Sequence, residues 1–188
     1  MIDYGTIAEH YLEKHETDPG FSKGTGLLKH VPEIATLCKQ LNVETILDYG
    51  CGKGIFWANK SLYKPILKPY AVHKLQVHLY DPFIPKFAGP IPSKRFDMVI
   101  CTDVLEHVML EEVVDTIDKL ILYTRKVLFL DIDTVPAKKK FKDGTNLHIT
   151  VKPREWWEEL INERLKKINV KYNTSISVIR RYGELEYA

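Results

Sequence analysis

Cysteine is scarce. The three thiols, Cys38, Cys51 and Cys101, are odd in number, show no Cys-x-x-Cys spacing and form no cluster with the seven histidines. A disulfide framework and a structural zinc site are therefore not expected, and a reducing cytoplasmic compartment fits best. The histidines also lack the i, i+4 pairing of a helical metal site, so no metal is expected. No apolar run approaches the ~20 residues needed to cross a bilayer. The start, Met1-Ile2-Asp3-Tyr4, lacks the basic residues and apolar core of a secretory signal. Excess charge is missing too: the formal net charge is +2. That removes the usual electrostatic argument for nucleic acid, and the basic run Lys138-Lys139-Lys140, with Lys142, reads as a solvated loop. There are no internal repeats and no low-complexity tract. What remains is a chain of 188 residues, enough for one domain with a real core and few for two.

Hydrophobic periodicity divides the chain into alternating elements. Residues 2–15 carry Ile7, Tyr11 and His15 at helical spacing. After a loop rich in Gly, Pro and Ser, residues 27–41 set Leu27, Val31, Ile34, Leu37 and Leu41 on one helical stripe. Residues 45–48 read as a short buried strand and residues 76–81 as an alternating one. Residues 96–101 and 127–131 are continuous apolar runs of the kind buried on both faces. A helix is predicted over 108–125, and another from Pro153 to about Lys167, proline being tolerated in a first turn. The tail, 170–187, is β-branched and aromatic and predicts one or two further strands. Strands alternating with helices imply an α/β, Rossmann-like fold with a mostly parallel sheet and helices on both faces.

Only fourteen residues separate Asp81 from Phe96, and four are prolines: Pro82, Pro85, Pro90 and Pro92. A crossover needs at least about 10–12 residues, helix included. Two crossovers and a strand do not fit, so the sheet is predicted to be abbreviated at the edge after the second strand, where proline also blunts unwanted pairing.

The first strand runs into Asp48-Tyr49-Gly50-Cys51-Gly52-Lys53-Gly54. Glycines there allow a tight turn and close approach of backbone to a ligand. A dinucleotide pyrophosphate at this place would suffer from the Asp48 carboxylate, and Gly54 comes one residue early for the G-x-G-x-x-G pattern. A phosphate-free, cationic ligand tolerates that carboxylate.

This heptapeptide resembles motif I of the class I S-adenosylmethionine (SAM)-dependent methyltransferases. The stretch from Phe96 through Asp103-Val104-Leu105-Glu106-His107-Val108 resembles their fourth strand and its E-V-L-E-H-like ending. Both motifs come in the right order, and the resemblance covers roughly residues 41–130. Gly144-Thr145-Asn146-Leu147-His148-Ile149-Thr150 followed by Trp156-Trp157 is similar to small bacterial and phage-type members. The resemblance implies a SAM cofactor held by Asp48, Gly50, Cys51, Gly52 and Gly54. It further implies Asp81 on the ribose hydroxyls and Thr102 and Asp103 at the methionine end. The strand whose loop usually holds adenine is missing, so Phe83 and Ile84 are the substitutes expected to face the base.

Methyl transfer from an activated donor needs chiefly positioning, plus a base when the acceptor is a hydroxyl or a protonated amine. The candidates near the methyl are His148, Glu106 and His107. Glu106 and His107 equally suit a cap-and-turn motif, with Thr102 or Asp103 as N-cap. His148 is expected to point into the cofactor cavity. One of Trp156 and Trp157 is expected in the core and the other against the acceptor. Tyr11 and His15 share a helical face and could form a lid. The expected organisation is a single methyltransferase domain, residues 1–188, with 1–30 as N-terminal helix and lid segment. The expected activity is transfer to an O or N atom of a small-molecule acceptor. The alternatives are a nucleic-acid methyltransferase and a non-catalytic SAM-binding accessory protein. DNA amino-methylating relatives carry an Asn/Asp-Pro-Pro-Tyr-like signature after the fourth strand, whereas the similar Asp81-Pro82-Phe83 follows the second.

Overall fold

Alternate residues of the strands divide between two layers of helix. The computed structural model describes residues 4–24, 26–59, 63 and 75–168. Its strands are β1 (Thr45–Tyr49), β2 (Gln76–Tyr80), β3 (Phe96–Thr102) and β4 (Thr124–Asp131), all parallel, in the order β2-β1-β3-β4. Ile46, Met98, Ile100, Val127 and Phe129 face one side. There they meet Val31, Ile34, Ala35 and Cys38 of α2 (Val31–Gln40) and Phe56 and Trp57 of α3 (Ile55–Ala58). Leu47, Val99, Cys101, Leu128 and Leu130 face the other. There they meet Val113, Ile117, Leu120 and Ile121 of α4 (Leu110–Tyr123) and Trp157 and Ile161 of α5 (Arg154–Ile168). Period-two strands sandwiched between amphipathic helices account for the apolar runs of β3 and β4. Each fully buried Leu, Ile or Phe contributes about 1.5–3 kcal/mol before chain entropy is set against it.

The stripe predicted over 27–41 is interrupted. Gly26–His30 is a 3-10 turn, and the α-helix begins only at Val31. Pro32 sits in the first turn of α2, where its missing N–H costs nothing; inside a longer helix it would delete a hydrogen bond. No strand forms between Asp81 and Phe96, as the four prolines require. The tail strands expected over 170–187 lie outside the described residues.

At the amino ends of the strands, Asp97 clamps three segments. Its carboxylate accepts from the backbone N–H of Glu44 and Thr45 and pairs with Arg125 (2.6 Å) and Lys126 (3.0 Å). Burial opposes its ionisation, but these donors outweigh burial and hold the carboxyl well below the ordinary value.

At the opposite edge, α1 (Tyr4–Thr17) lies across the sheet. Ile7 and Tyr11 form a small third core with Phe141 and Leu147. Two lysines of the basic run are tied down here: Lys139 pairs with Asp18 and Lys142 with Glu13. Among the described residues no helix is long and apolar enough to cross a membrane.

Candidate active site

The chain passes from β1 to β2 on one side and then returns to β3 on the other. The loops after β1 and β3 therefore diverge at a topological switch point, where open α/β sheets bind ligands. A cavity of about 550 Å³ lies there, lined by the glycine loop, the end of β2, the loop after β3 and the inner face of α1. The two loops meet closely: a Cβ added to Gly50 would stand 2.3 Å from Val104 Cγ2. Gly50, at φ 78°, is thus required both by its backbone and by its neighbour.

Every N–H of the glycine loop is already used. Gly50 and Cys51 donate to Tyr80 O (2.8 and 3.1 Å), and Gly52 donates to Asp81 Oδ2 (2.8 Å). Lys53 donates to Ser22 O, Gly54 to Cys51 O and Ile55 to Lys23 O. A phosphate cradle needs such groups free, so this loop suits a ligand without phosphate. Asp48 faces the cavity and accepts from Trp57 Nε1 at 2.6 Å. Burial lifts its carboxyl to about 7, against the pull of the Trp57 bond and with the neighbouring Asp81 adding to the rise. A cationic ligand restores the charge that burial suppresses.

A model of the methyltransferase domain matches residues 25–172. The chain belongs to the methyltransferase-domain family. Its methyl donor is accordingly SAM, whose sulfonium cation and lack of phosphate fit the Asp48 carboxylate and the spent N–H groups. No curated protein matches the methyltransferase. A solved structure described as the DhpI–SAH complex shares 14% identity with it, with a TM-score of 0.47, over 85% of this chain and 88% of that chain.

Of the residues expected to hold the cofactor, Asp48, Gly50, Cys51, Asp81, Phe83, Thr102 and Asp103 line the cavity of the methyltransferase. Gly52 and Gly54 do not. A Cβ on Gly52 would strike Ser22, and one on Gly54 would crowd Leu79 and Phe87, so both glycines serve packing behind the loop. Asp81 is buried and holds the site together: Oδ2 takes the Gly52 N–H, and Oδ1 takes that of Phe83 at 2.9 Å. Phe83 stacks on Tyr11 with centroids 5.2 Å apart, whereas Ile84 stays out of the cavity. The expected lid residues Tyr11 and His15 both line it.

The remaining expectations need correction. Neither Thr102 nor Asp103 caps the following helix. Asp103 is left-handed at φ 55°, a 3-10 turn spans Leu105–His107, and α4 starts at Leu110 behind Met109. His148 does not line the cavity. It stands behind His107, edge to face at 4.9 Å, and of these two rings it is His107 that reaches the cavity. Glu106 is fully buried beneath them. Trp157 is in the core as expected, but Trp156 packs beside it under Lys152 and does not reach the cavity.

His107 was legible; its setting was not. Its Nδ1 lies 2.8 Å from both Leu147 O and the Tyr11 hydroxyl, and the hydroxyl is also 2.8 Å from that carbonyl; in the Nδ1–H tautomer the ring and the hydroxyl both donate to Leu147 O. Burial and the nearby His148 depress the His107 pKa to about 4, so the ring is neutral at pH 7. The loop carrying His148 is stapled to the turn carrying Glu106: Thr150 N–H donates to Glu106 O at 2.9 Å, and Thr150 Oγ1 to Val108 O at 2.7 Å. Glu106, His107 and His148 thus meet at one end of the site, their side-chain ligand atoms all within 4.8 Å of one another. No spacing in the sequence announces this cluster. The only hint was that both contributing loops leave the same ends of adjacent strands.

Proposed function

We propose that the methyltransferase transfers the SAM methyl group to an oxygen or nitrogen of a small acceptor, held between the glycine loop and the Glu106–His107–His148 cluster. The observation that carries this reading is the single cavity running from Asp48 and Asp81 to His107 and roofed by Tyr11, Phe21 and His15 of the N-terminal lid segment. SAM supplies an activated methyl on a sulfonium when bound, so the chain's own residues have mainly to orient and desolvate. Asp81 holds the ribose end and Asp48 balances positive charge. Val108 and Met109 give the acceptor side apolar walls. His107, the member of the cluster on the cavity wall, supplies the ring nitrogen that fixes the acceptor atom and draws off its proton. A roofed cavity of this size takes a small molecule. Lys139 and Lys142 of the basic run are engaged with Asp18 and Glu13 rather than arrayed for a phosphate backbone.

The test is label transfer from methyl-labelled SAM to separated pools of small metabolites, nucleic acids and proteins. Label in the small-molecule pool, lost about 10²–10⁴-fold in His107→Ala while SAM still binds, is the expected result. Label appearing only in nucleic acid or protein overturns the acceptor class. SAM binding with no transfer to any pool overturns catalysis.

A further inference from the structure

We propose that Glu106, His107 and His148 form a binding site for one divalent first-row transition-metal cation. Glu106 is 0% exposed; its Oε1 accepts the Asp133 N–H at 3.1 Å, and its Oε2 is buried with no hydrogen-bond partner. An unpaired carboxylate oxygen in the interior is costly unless a proton or a cation meets it.

The two imidazoles complete the case. His107 Nδ1 lies 2.8 Å from Leu147 O and from the Tyr11 hydroxyl, and His148 Nδ1 lies 2.6 Å from Val135 O; a carbonyl can only accept, which selects the Nδ1–H tautomer of each ring. Both rings are thereby left with a bare Nε2 lone pair. Tying one ring nitrogen to a backbone carbonyl is how proteins orient a metal-binding histidine and raise its basicity. The supports are themselves fixed. Asn146 accepts the N–H groups of Ala137 and His148 and donates to Ala137 O, locking the turn that presents His148.

One ligand atom from each residue lies within 4.8 Å of the others. Tetrahedral ligands at about 2.0–2.2 Å from one ion stand roughly 3.3–3.6 Å apart, so a closure of up to about 1.5 Å brings the three atoms onto one ion. Two imidazoles and a carboxylate, without thiolate, favour Mn²⁺, Fe²⁺, Co²⁺, Ni²⁺ or Zn²⁺ over Ca²⁺ and Mg²⁺. Three protein ligands leave coordination positions open. His107 is the member on the cavity wall, so an ion here borders the space for the acceptor. Ion binding rests on this geometry alone and not on the identity of the acceptor.

The test is titration of the chelator-treated full chain with Mn²⁺, Co²⁺ and Zn²⁺ by calorimetry, with Co²⁺ also followed by visible absorption. SAM binding serves as the check on folding. One ion per chain is expected, with a Co²⁺ ligand-field band. Glu106→Gln and His148→Ala should each weaken binding by more than the roughly 10–100-fold that loss of an outer-shell partner costs, while SAM still binds. His148 is only half-buried, so His148→Ala carries the test even where Glu106→Gln fails to fold. A wild-type chain that binds none of the three ions, or a folded His148→Ala that binds them as tightly as wild type, overturns the proposal.

Discussion

Replacing Gly50 by alanine asks whether the loops after β1 and β3 meet as described. The new Cβ would lie 2.3 Å from Val104 Cγ2 and 3.1 Å from Cγ1, at a backbone φ of 78°. Two costs add. A left-handed L-residue costs about 1–2 kcal/mol, and forcing a methyl into a packed contact costs about 1–3 kcal/mol more. Gly144→Ala isolates the first cost, because Gly144 has φ 89° and nothing within 4 Å of its added Cβ. Val104→Ala removes both offending methyls and leaves only its own Cβ, at 3.3 Å. Urea unfolding of Gly50→Ala should therefore show a loss of about 2–5 kcal/mol, against about 1–2 for Gly144→Ala. Combining Gly50→Ala with Val104→Ala should recover about 1–3 kcal/mol of coupling, as neighbours in contact do. Both loops line the cavity, so calorimetry should also show weakened SAM binding in Gly50→Ala but not in Gly144→Ala. If Gly50→Ala is no less stable than Gly144→Ala, or the double-mutant cycle gives no coupling, the reasoning is refuted.

Asp81→Ala should weaken SAM binding measured by calorimetry by about 1–3 kcal/mol, the scale for losing hydrogen bonds to a charged group; unchanged affinity would remove Asp81 from the site. Asp97→Ala should cost about 1–3 kcal/mol in urea unfolding, because it leaves the Glu44 and Thr45 N–H groups at the start of β1 without their acceptor. The Asp97 carboxyl is depressed in the folded state, so its stabilisation is present above the ordinary 3.8 and is lost as pH falls through the folded value. Asp97→Asn should flatten that acid limb. Asp48 has the opposite sign. Its folded pKa is raised from 3.8 to about 7, so the stability it contributes is full below 3.8 and is lost as pH climbs towards 7. Asp48→Asn keeps an acceptor for Trp57 and should abolish that decline; an unaltered pH profile would show that Asp48 does not titrate there.

What the sequence made legible followed from period and punctuation. The buried runs of β3 and β4, the closed edge between Asp81 and Phe96 and the glycine turn at Gly50 are each set by residues near one another in the chain. Where neighbours in space are distant in sequence, reading failed. Tyr11 and Leu147, joined by one hydrogen bond, are 136 residues apart, and no periodicity connects them. Ser22 and Lys23 satisfy the glycine loop through carbonyl oxygens, which carry no side-chain signature. The cap expected at Thr102 or Asp103 failed because Asp103 takes a left-handed turn, which lets the chain pass Gly50 before α4 begins. His148 was placed on the correct edge of the sheet, but rotation about its loop, fixed by Asn146, sets it behind His107 and not in the cavity.

The glycine loop satisfies all its own N–H groups through contacts within the fold, so it does not wait for a ligand to take shape. A cofactor entering this site meets a finished surface and forfeits little chain freedom on arrival, which is the advantage of preorganisation. Donor and demethylated product then see the same floor. Their affinities should differ only by what the methyl and its positive charge add near Asp48, leaving the roof over Tyr11 to decide how quickly one is exchanged for the other.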